Sequence, residues 1–398
     1  MALSKSVKNA IKLGTLCTIS YFAVYVARNV LSAITPRLLL IGYTENFIAK
    51  LSSLYFIAYA IGQLINGVIG DRIKAKYMLS FGLLFAGLFQ LALPFVLKTP
   101  FLSVLSYSLT GFCLSMIYAP MTKVVAENND LFLTSRISLG YTFSSFFGSP
   151  VAGLLATFFA WQTVFYTSSA FLIIMAILVM TIFIRFEKTG IVKYKERKEI
   201  QKSNASVKVL FSRQIIKFSL VSIITGIVRT SVVFWLPTYI NKYLCFSAEK
   251  STLLFTIVSL LLCVNGFLAI FVYEKLKNGL SLSLFLFFLV SAIFFFLTYL
   301  INAPVFNLIF IVIAIICSNS ASSLMWSIYC PSLSDTGLVS SATGYLDFLS
   351  YIAAAGANVF FADASTTLGW KSLILVWFVL IVFGIIVSLP LRKKPKTI

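Results

Sequence analysis

Two arginines stand inside stretches that otherwise carry no charge. Arg28 lies in SYFAVYVARNVLSAITP and Arg229 in ITGIVRTSVVFWLPTY, and each is followed eight residues later by a proline, Pro36 or Pro237. A charged side chain at the centre of a bilayer costs about 2.5–3.5 kcal/mol even on the lenient insertion scale. Such a residue faces a wet cavity, pairs with a carboxylate, or snorkels to the interface. A guanidinium keeps its proton at ordinary pH and holds phosphate or carboxylate through two parallel hydrogen bonds. Anion recognition is therefore the chemistry these two residues could do. Tyr21 and Tyr25 precede Arg28 by seven and three residues and share its helical face. Tyr59 and Gln63, one turn apart, bring a hydroxyl and an amide suited to a hydrogen-bonding cavity.

Asp347, in SATGYLDFLSYIAAA, is an acidic residue well inside an apolar run. Three roles compete for it: counter-ion to an arginine, proton-coupling carboxylate, or ligand for a cationic substrate group. Gly140, Gly148, Pro150 and Gly153 form a run suited to close helix packing or a hinge. Gly67, Asp71 and Arg72 end an apolar run, with Asp71 placed to accept bonds from a neighbouring helix as a latch, and Glu274 ends a corresponding run later in the chain.

Other chemistry is missing. The chain has no histidine, and it shows no paired carboxylates and no phosphate-cradling glycine loop. The six cysteines have no metal-binding spacing and lie in apolar stretches, where they read as core residues. Neither an enzyme nor an ATP-driven pump is expected, and no catalytic residue, cofactor or metal.

The elements that must position these residues follow from composition. Of 398 residues, 60% are hydrophobic and 11% charged, with mean hydropathy +0.97. A soluble domain is about 25% charged. Apolar runs at 12–41, 47–70, 78–97, 101–126, 135–160, 162–186, 214–242, 250–274, 280–301, 304–330, 338–363 and 369–391 predict twelve transmembrane helices. The hydrophilic stretch between them predicts an N-terminal six-helix bundle (1–186), a basic linker (187–213) and a C-terminal six-helix bundle (214–398).

The net charge of +20 is read as the excess of basic residues in cytoplasmic loops and not as a nucleic-acid footprint. Lys5, Lys8, Lys12, Arg72, Lys74, Lys76, the linker and Arg392 to Lys396 fall on one side, which predicts cytoplasmic termini. The first apolar run reads as a retained span of a multi-pass inner-membrane protein. The halves also repeat. Arg28 and Pro36 return as Arg229 and Pro237, Lys50 as Lys250, Asn66-Gly67 as Asn265-Gly266, and Asp71-Arg72 as Glu274-Lys275. This duplication predicts a pseudo-twofold axis along the membrane normal and a site between the halves near the midplane.

These residues resemble the major facilitator superfamily. Gly67-x3-Asp71-Arg72-x3-Lys76 is similar to its loop signature, and Gly140 to Gly153 to the fifth-helix motif of its antiporters. More narrowly, Tyr21-x3-Tyr25-x2-Arg28 with Pro36, Ala58-Tyr59, Arg229 with Trp235-Leu-Pro237-Thr-Tyr239, and Tyr351 resemble the organophosphate:phosphate antiporters, which include the glycerol-3-phosphate and hexose-6-phosphate transporters. The resemblance implies rocker-switch exchange of a phosphorylated metabolite for inorganic phosphate by a monomer. Arg28 and Arg229 would hold the phosphate, and Tyr21, Tyr25, Tyr59 and Tyr351 would line the site. Asn29, Gln63 and the lack of histidine leave the expected cavity less positive than the family pattern. Two alternatives stand beside this reading: proton-coupled transport of a carboxylate or zwitterion through Asp347, and a transporter-like membrane sensor.

Overall fold

The computed structural model describes residues 4–145, 147–194, 207–277, 279–367 and 369–390. Residues 195–206 of the linker and the basic cluster Arg392 to Lys396 lie outside the described residues. Among the described residues the chain is all helical: α1 (Lys5–Leu40), α2 (Glu45–Arg72), α3 (Ala75–Val96), α4 (Pro100–Asn128), α5 (Leu131–Ser145), α6 (Gly148–Phe158), α7 (Trp161–Lys188), the short α8 (Val207–Ser212), α9 (Ile215–Thr238), α10 (Ala248–Leu261), α11 (Asn265–Lys275), α12 (Leu280–Leu300), α13 (Pro304–Leu324), α14 (Val339–Thr367) and α15 (Gly369–Ser388). Ten spans among the described residues are long and apolar enough to cross a membrane. The expected fifth and eleventh spans correspond to α5 with α6 and to α14.

Local chemistry sets the helix starts. Thr44 caps α2 by accepting a hydrogen bond from Phe47 N at 3.3 Å, and Ser247 caps α10 by accepting one from Lys250 N at 3.4 Å. Such caps contribute about 0.5–2 kcal/mol each. Pro100 and Pro304 occupy the first turns of α4 and α13, where the missing N–H costs nothing. Each of these pairs falls at corresponding places in the two halves.

Three expected single helices are interrupted. The fifth breaks between α5 and α6, just ahead of Pro150. The eighth is parted by a one-turn 3₁₀ segment, Leu262–Val264. The tenth passes into a π-turn at Met325–Tyr329 and then the short turn Cys330–Ser332. The seventh likewise ends in a π-turn, Tyr239–Tyr243.

The chain divides into two compact units. The first comprises 1–213 with 330–348, and the second 214–329 with 349–398. In the first, α4 packs between α2 and α3, α7 packs on α3, and α1 lies against α5, α6 and α7. The stretch 330–348, which the sequence groups with the C-terminal bundle, packs here as well. In the second, α13 packs on α12, α11 and α9, while α15 packs on α12 and α9.

Both units carry the same buried bond. Asn66 Nδ2 on α2 donates to Ser115 Oγ on α4 at 2.7 Å, and Ser323 Oγ on α13 donates to Asn265 Oδ1 on α11 at 2.8 Å. Interhelical bonds of this kind are worth about 0.6 kcal/mol on average in a bilayer.

The first unit's tightest helix contact needs glycine on both sides. A Cβ on Gly344 would stand 2.2 Å from the carbonyl oxygen of Gln63, and one on Gly67 would stand 2.9 Å from that of Ser340. Gly356, on the same helix as Gly344, has open space where its Cβ would be. Gly344→Ala is therefore expected to destabilise by about 1–3 kcal/mol through overpacking, while Gly356→Ala gains about 0.5–1 kcal/mol. Thermal unfolding of the two purified variants checks this; equal melting temperatures would contradict the contact.

Candidate functional site

Arg28 sits half-buried on α1 among aromatic rings. Its guanidinium carbon is 5.4 Å from the ring centre of Tyr25, 5.0 Å from Phe56 and 5.0 Å from Tyr59. Tyr25 comes from one turn earlier on α1, and the other two from α2. Ring faces attract a cation by about 0.5–2 kcal/mol without cancelling its charge, so this cage holds a permanent positive charge inside a span. Tyr59 is backed by Tyr55, and Tyr55 stacks on Tyr107 with ring centres 4.7 Å apart. Arg28 also acts electrostatically on Tyr107.

Tyr21 joins a second aromatic group, 5.0 Å from Tyr25, 5.4 Å from Tyr118 and 5.8 Å from Tyr141 between ring centres. Tyr141 Oη bonds with Ser138 Oγ at 2.7 Å. Asp347 is buried in the same unit. Gln63 is fully buried, and neither polar atom of its carboxamide has a hydrogen-bond partner among the described residues. The first unit thus gathers Arg28, Tyr21, Tyr25, Tyr59, Gln63 and Asp347.

Arg229 and Tyr351 belong to the second unit, where both are half-buried. In the block that follows Arg229, Tyr239 is buried, donates its hydroxyl hydrogen to Asn307 Oδ1, and packs with Tyr243 and Trp370 at 5.1 and 5.3 Å between ring centres. Asn307 in turn donates to the carbonyls of Thr298 and Ile301. That fixes the end of the seventh span to the start of α13.

The latch expected at Asp71 has a definite geometry. Asp71 is 7% exposed, and its carboxylate accepts from Ser340 N at 2.9 Å and from Ser341 N at 2.8 Å. These are first-turn amides of α14, so a carboxylate from distant sequence caps that helix and meets the positive end of its dipole. Lys123 on α4 is buried and donates through Nζ to the carbonyls of Gly70 at 3.1 Å and Asp71 at 2.8 Å. Sequence reasoning missed Lys123, although a lysine within an apolar helix carries the same signal of cost that picked out Arg28.

Arg72 is exposed, and its neighbours Lys74 and Lys76 pair with Glu187 at the end of α7. Tyr194 Oη accepts from Lys76 N at 3.2 Å, and burial pushes that phenol's pKa up. Glu274, the repeat counterpart of Asp71, is exposed. A Cβ on Gly148 would fall 2.6 Å from the backbone of Tyr25, so this glycine brings α6 against the helix that carries Arg28. Pro150 is exposed.

An all-helical, multi-pass membrane protein with a caged guanidinium and a capped internal latch has the build of a solute transporter. A family model described as Major Facilitator Superfamily matches residues 17–358, and the chain belongs to that superfamily. Over 206 residues it is 29% identical to the proton-coupled antiporter flippase LtaA of Staphylococcus saprophyticus, a match covering 50% of this chain and 48% of that protein; the chain thus spans about half the length of this relative. Among solved structures, the proton:xylose symporter XylE is similar with a TM-score of 0.75 at 13% identity over 96% of this chain and 95% of that one. The E. coli fucose:proton symporter FucP follows at 0.72 and 13% over 96% and 98%. The human organic anion transporter MFSD10 is similar at 0.70 and 12% over 95% and 99%. At such identities these likenesses establish the fold.

Asp71→Ala removes two charge-assisted bonds and is expected to cost about 2–4 kcal/mol, while Asp71→Asn, which keeps one carbonyl acceptor, costs about half as much. Melting temperatures in the order native, Asn variant, Ala variant are the expected result. Equal melting of native and Ala variant would show that the cap contributes nothing.

Proposed function

We propose that this protein is a secondary antiporter for a small organic anion, a phosphorylated metabolite such as a sugar or glycerol phosphate, exchanged for inorganic phosphate by alternating access. One observation carries the reading: a permanent cation, Arg28, held within a span by the faces of Tyr25, Phe56 and Tyr59. A guanidinium held by its faces presents its N–H edge to a bidentate oxyanion. Arg229, its counterpart in the second repeat, is proposed as a substrate-binding residue in its own unit, and Tyr21, Tyr25, Tyr59, Gln63 and Tyr351 are proposed as substrate-binding residues as well. Gly67, Asp71, Arg72, Gly148, Pro150 and Glu274 are proposed as gating or packing residues. The distribution of Lys and Arg supports an inner-membrane location with cytoplasmic termini, and the protein is proposed to act as a monomer.

A second reading has its own support. Asp347 is buried within a span, and a carboxylate so placed is suited to carrying a proton. The partial relative is itself a proton-coupled antiporter flippase. In this reading the anion moves against a proton bound at Asp347.

Reconstituted proteoliposomes separate the two. Loaded with inorganic phosphate, they are expected to exchange it for labelled sugar or glycerol phosphate, and Arg28→Lys, which keeps the charge but loses the planar fork, is expected to lose about 10- to 100-fold in uptake. Full activity of the lysine variant would overturn the anion reading. Uptake into phosphate-free vesicles that tracks the pH gradient and vanishes in Asp347→Asn would favour the proton reading, and no effect of Asp347→Asn on gradient-driven uptake would remove it.

A further inference from the structure

A cavity of about 420 Å³ lies in the first unit, where the start of α1 meets the end of α4 and the turn after α7. All three helices are long and apolar enough to cross a membrane, so the cavity lies at the depth of a bilayer's headgroups. Its volume is within the range of small-molecule pockets. The α1 wall ends at Leu13, fifteen residues before Arg28 and about 22 Å from it along the helix. This cavity is separate from the aromatic cage.

The chain's own bonds hold the walls in place. Ser4 Oγ accepts from Val7 N at 3.3 Å and caps the start of α1. α7 ends at Gly190, whose φ of +70° suits a residue without a Cβ. Gly190 N donates to Glu187 O and Ile191 N to Phe186 O, which is the paired closure of a Schellman turn. Asn128 then fixes the residues that follow: its Oδ1 accepts from Lys193 N at 2.6 Å, and its Nδ2 donates to Val124 O at 2.9 Å. Both ends of that carboxamide serve the wall.

The remaining polar groups divide by sign. α1 presents Lys5 and Asn9 to the cavity one turn apart, with Ser6 beside Lys5, and the first turn carries the positive end of the helix dipole. Lys193 adds a second ammonium from the turn after α7. The other wall is the C-terminal end of α4, with Glu127 and Asn129. Asn129 Nδ2 donates to Val125 O at 2.9 Å, which leaves its Oδ1 as an acceptor. One wall suits an oxyanion and the other an ammonium group.

We infer that this cavity binds a phosphoethanolamine unit, as the free phosphoester or as the headgroup of a phospholipid. Lys5, Ser6 and Lys193 take the phosphate, Glu127 and Asn129 take the ammonium, and Asn9 bonds to either. Inorganic phosphate offers nothing to Glu127, and a lone cation meets two lysines. A molecule with both ends satisfies both walls. A primary ammonium donates three hydrogen bonds, whereas a quaternary choline donates none. The assignment is independent of the solute that the protein carries.

The test uses full-length purified protein in two arms. Calorimetric titration compares free phosphoethanolamine with ethyl phosphate, which lacks the ammonium group. Native mass spectrometry of protein from nanodiscs of equal parts phosphatidylethanolamine and phosphatidylcholine reads which lipid is retained. If the free ester is the ligand, it is expected to bind about tenfold or more tightly than ethyl phosphate. If the headgroup is the ligand, phosphatidylethanolamine is expected to be enriched severalfold. Lys5→Gln combined with Lys193→Gln, both at exposed positions, is expected to weaken whichever binding is seen by about tenfold or more. Glu127→Gln is expected to remove the preference for the ammonium-bearing ligand. Melting temperature without ligand establishes that each variant is folded, and if Glu127→Gln is not, the lysine pair decides. Neither preference in native protein overturns the inference. Binding that survives in the folded lysine variant also overturns it, because the ligand then sits elsewhere.

Discussion

Hydrocarbon offers no hydrogen bonds, so each polar group that this chain carries into a span has to be met by another part of the chain or by what the chain binds. That constraint orders the structure. Asn66 meets Ser115, Asn265 meets Ser323, and Asp71 meets the first-turn amides of α14. Lys123 meets the carbonyls that end α2. Each pairing fixes two helices at a particular depth and rotation, which apolar side chains packed against equally apolar lipid do poorly. The polar groups are few, but they decide the register of the bundle.

The same constraint separates structural from functional groups. Arg28 cannot discharge, and its cage of Tyr25, Phe56 and Tyr59 steadies it without removing its charge. Asp71 is buried, and both its oxygens are occupied by backbone donors, so its role is that of a strut between α2 and α14. Gln63 keeps both polar atoms of its carboxamide unmet among the described residues. A chain that satisfies Asn66 and Asn265 so fully has the means to satisfy this one as well, which makes it the place to look for contact with something that comes and goes.

Much of this was legible in the sequence because the cost of charge in lipid is large and local. Arg28, Asp347 and the latch Asp71 stood out against apolar neighbours, and Tyr25 followed from helical spacing. Tyr59 shared a pattern with Gln63 but gave no sign that it would face Arg28, because that depends on how α1 and α2 are rotated against each other. Lys123 carried the right signal and was passed over. The break between α5 and α6 was foreshadowed by Gly148 and Pro150. The irregular turns at Leu262–Val264 and Met325–Tyr329 were not, since neither contains glycine or proline. That 330–348 packs with the first unit was not legible, because apolar pattern follows chain order, whereas Asp71 and the Gly67–Gly344 contact draw that stretch onto α2.

Duplication explains why the halves look alike and also exposes where they part. A repeat inherits its fold-determining bonds, and the Asn–Ser pairs and the caps at Thr44 and Ser247 are such inheritance. Charge at the helix end was inherited as well, but Asp71 is buried against α14 while Glu274 is exposed; the residue type persisted and its task did not. The aromatic cage is built on the first unit's α1 and α2, whereas the π-turns fall, among the described residues, in the second unit, at Tyr239–Tyr243 and Met325–Tyr329; packing fixed by the shared bonds left each half room to change elsewhere.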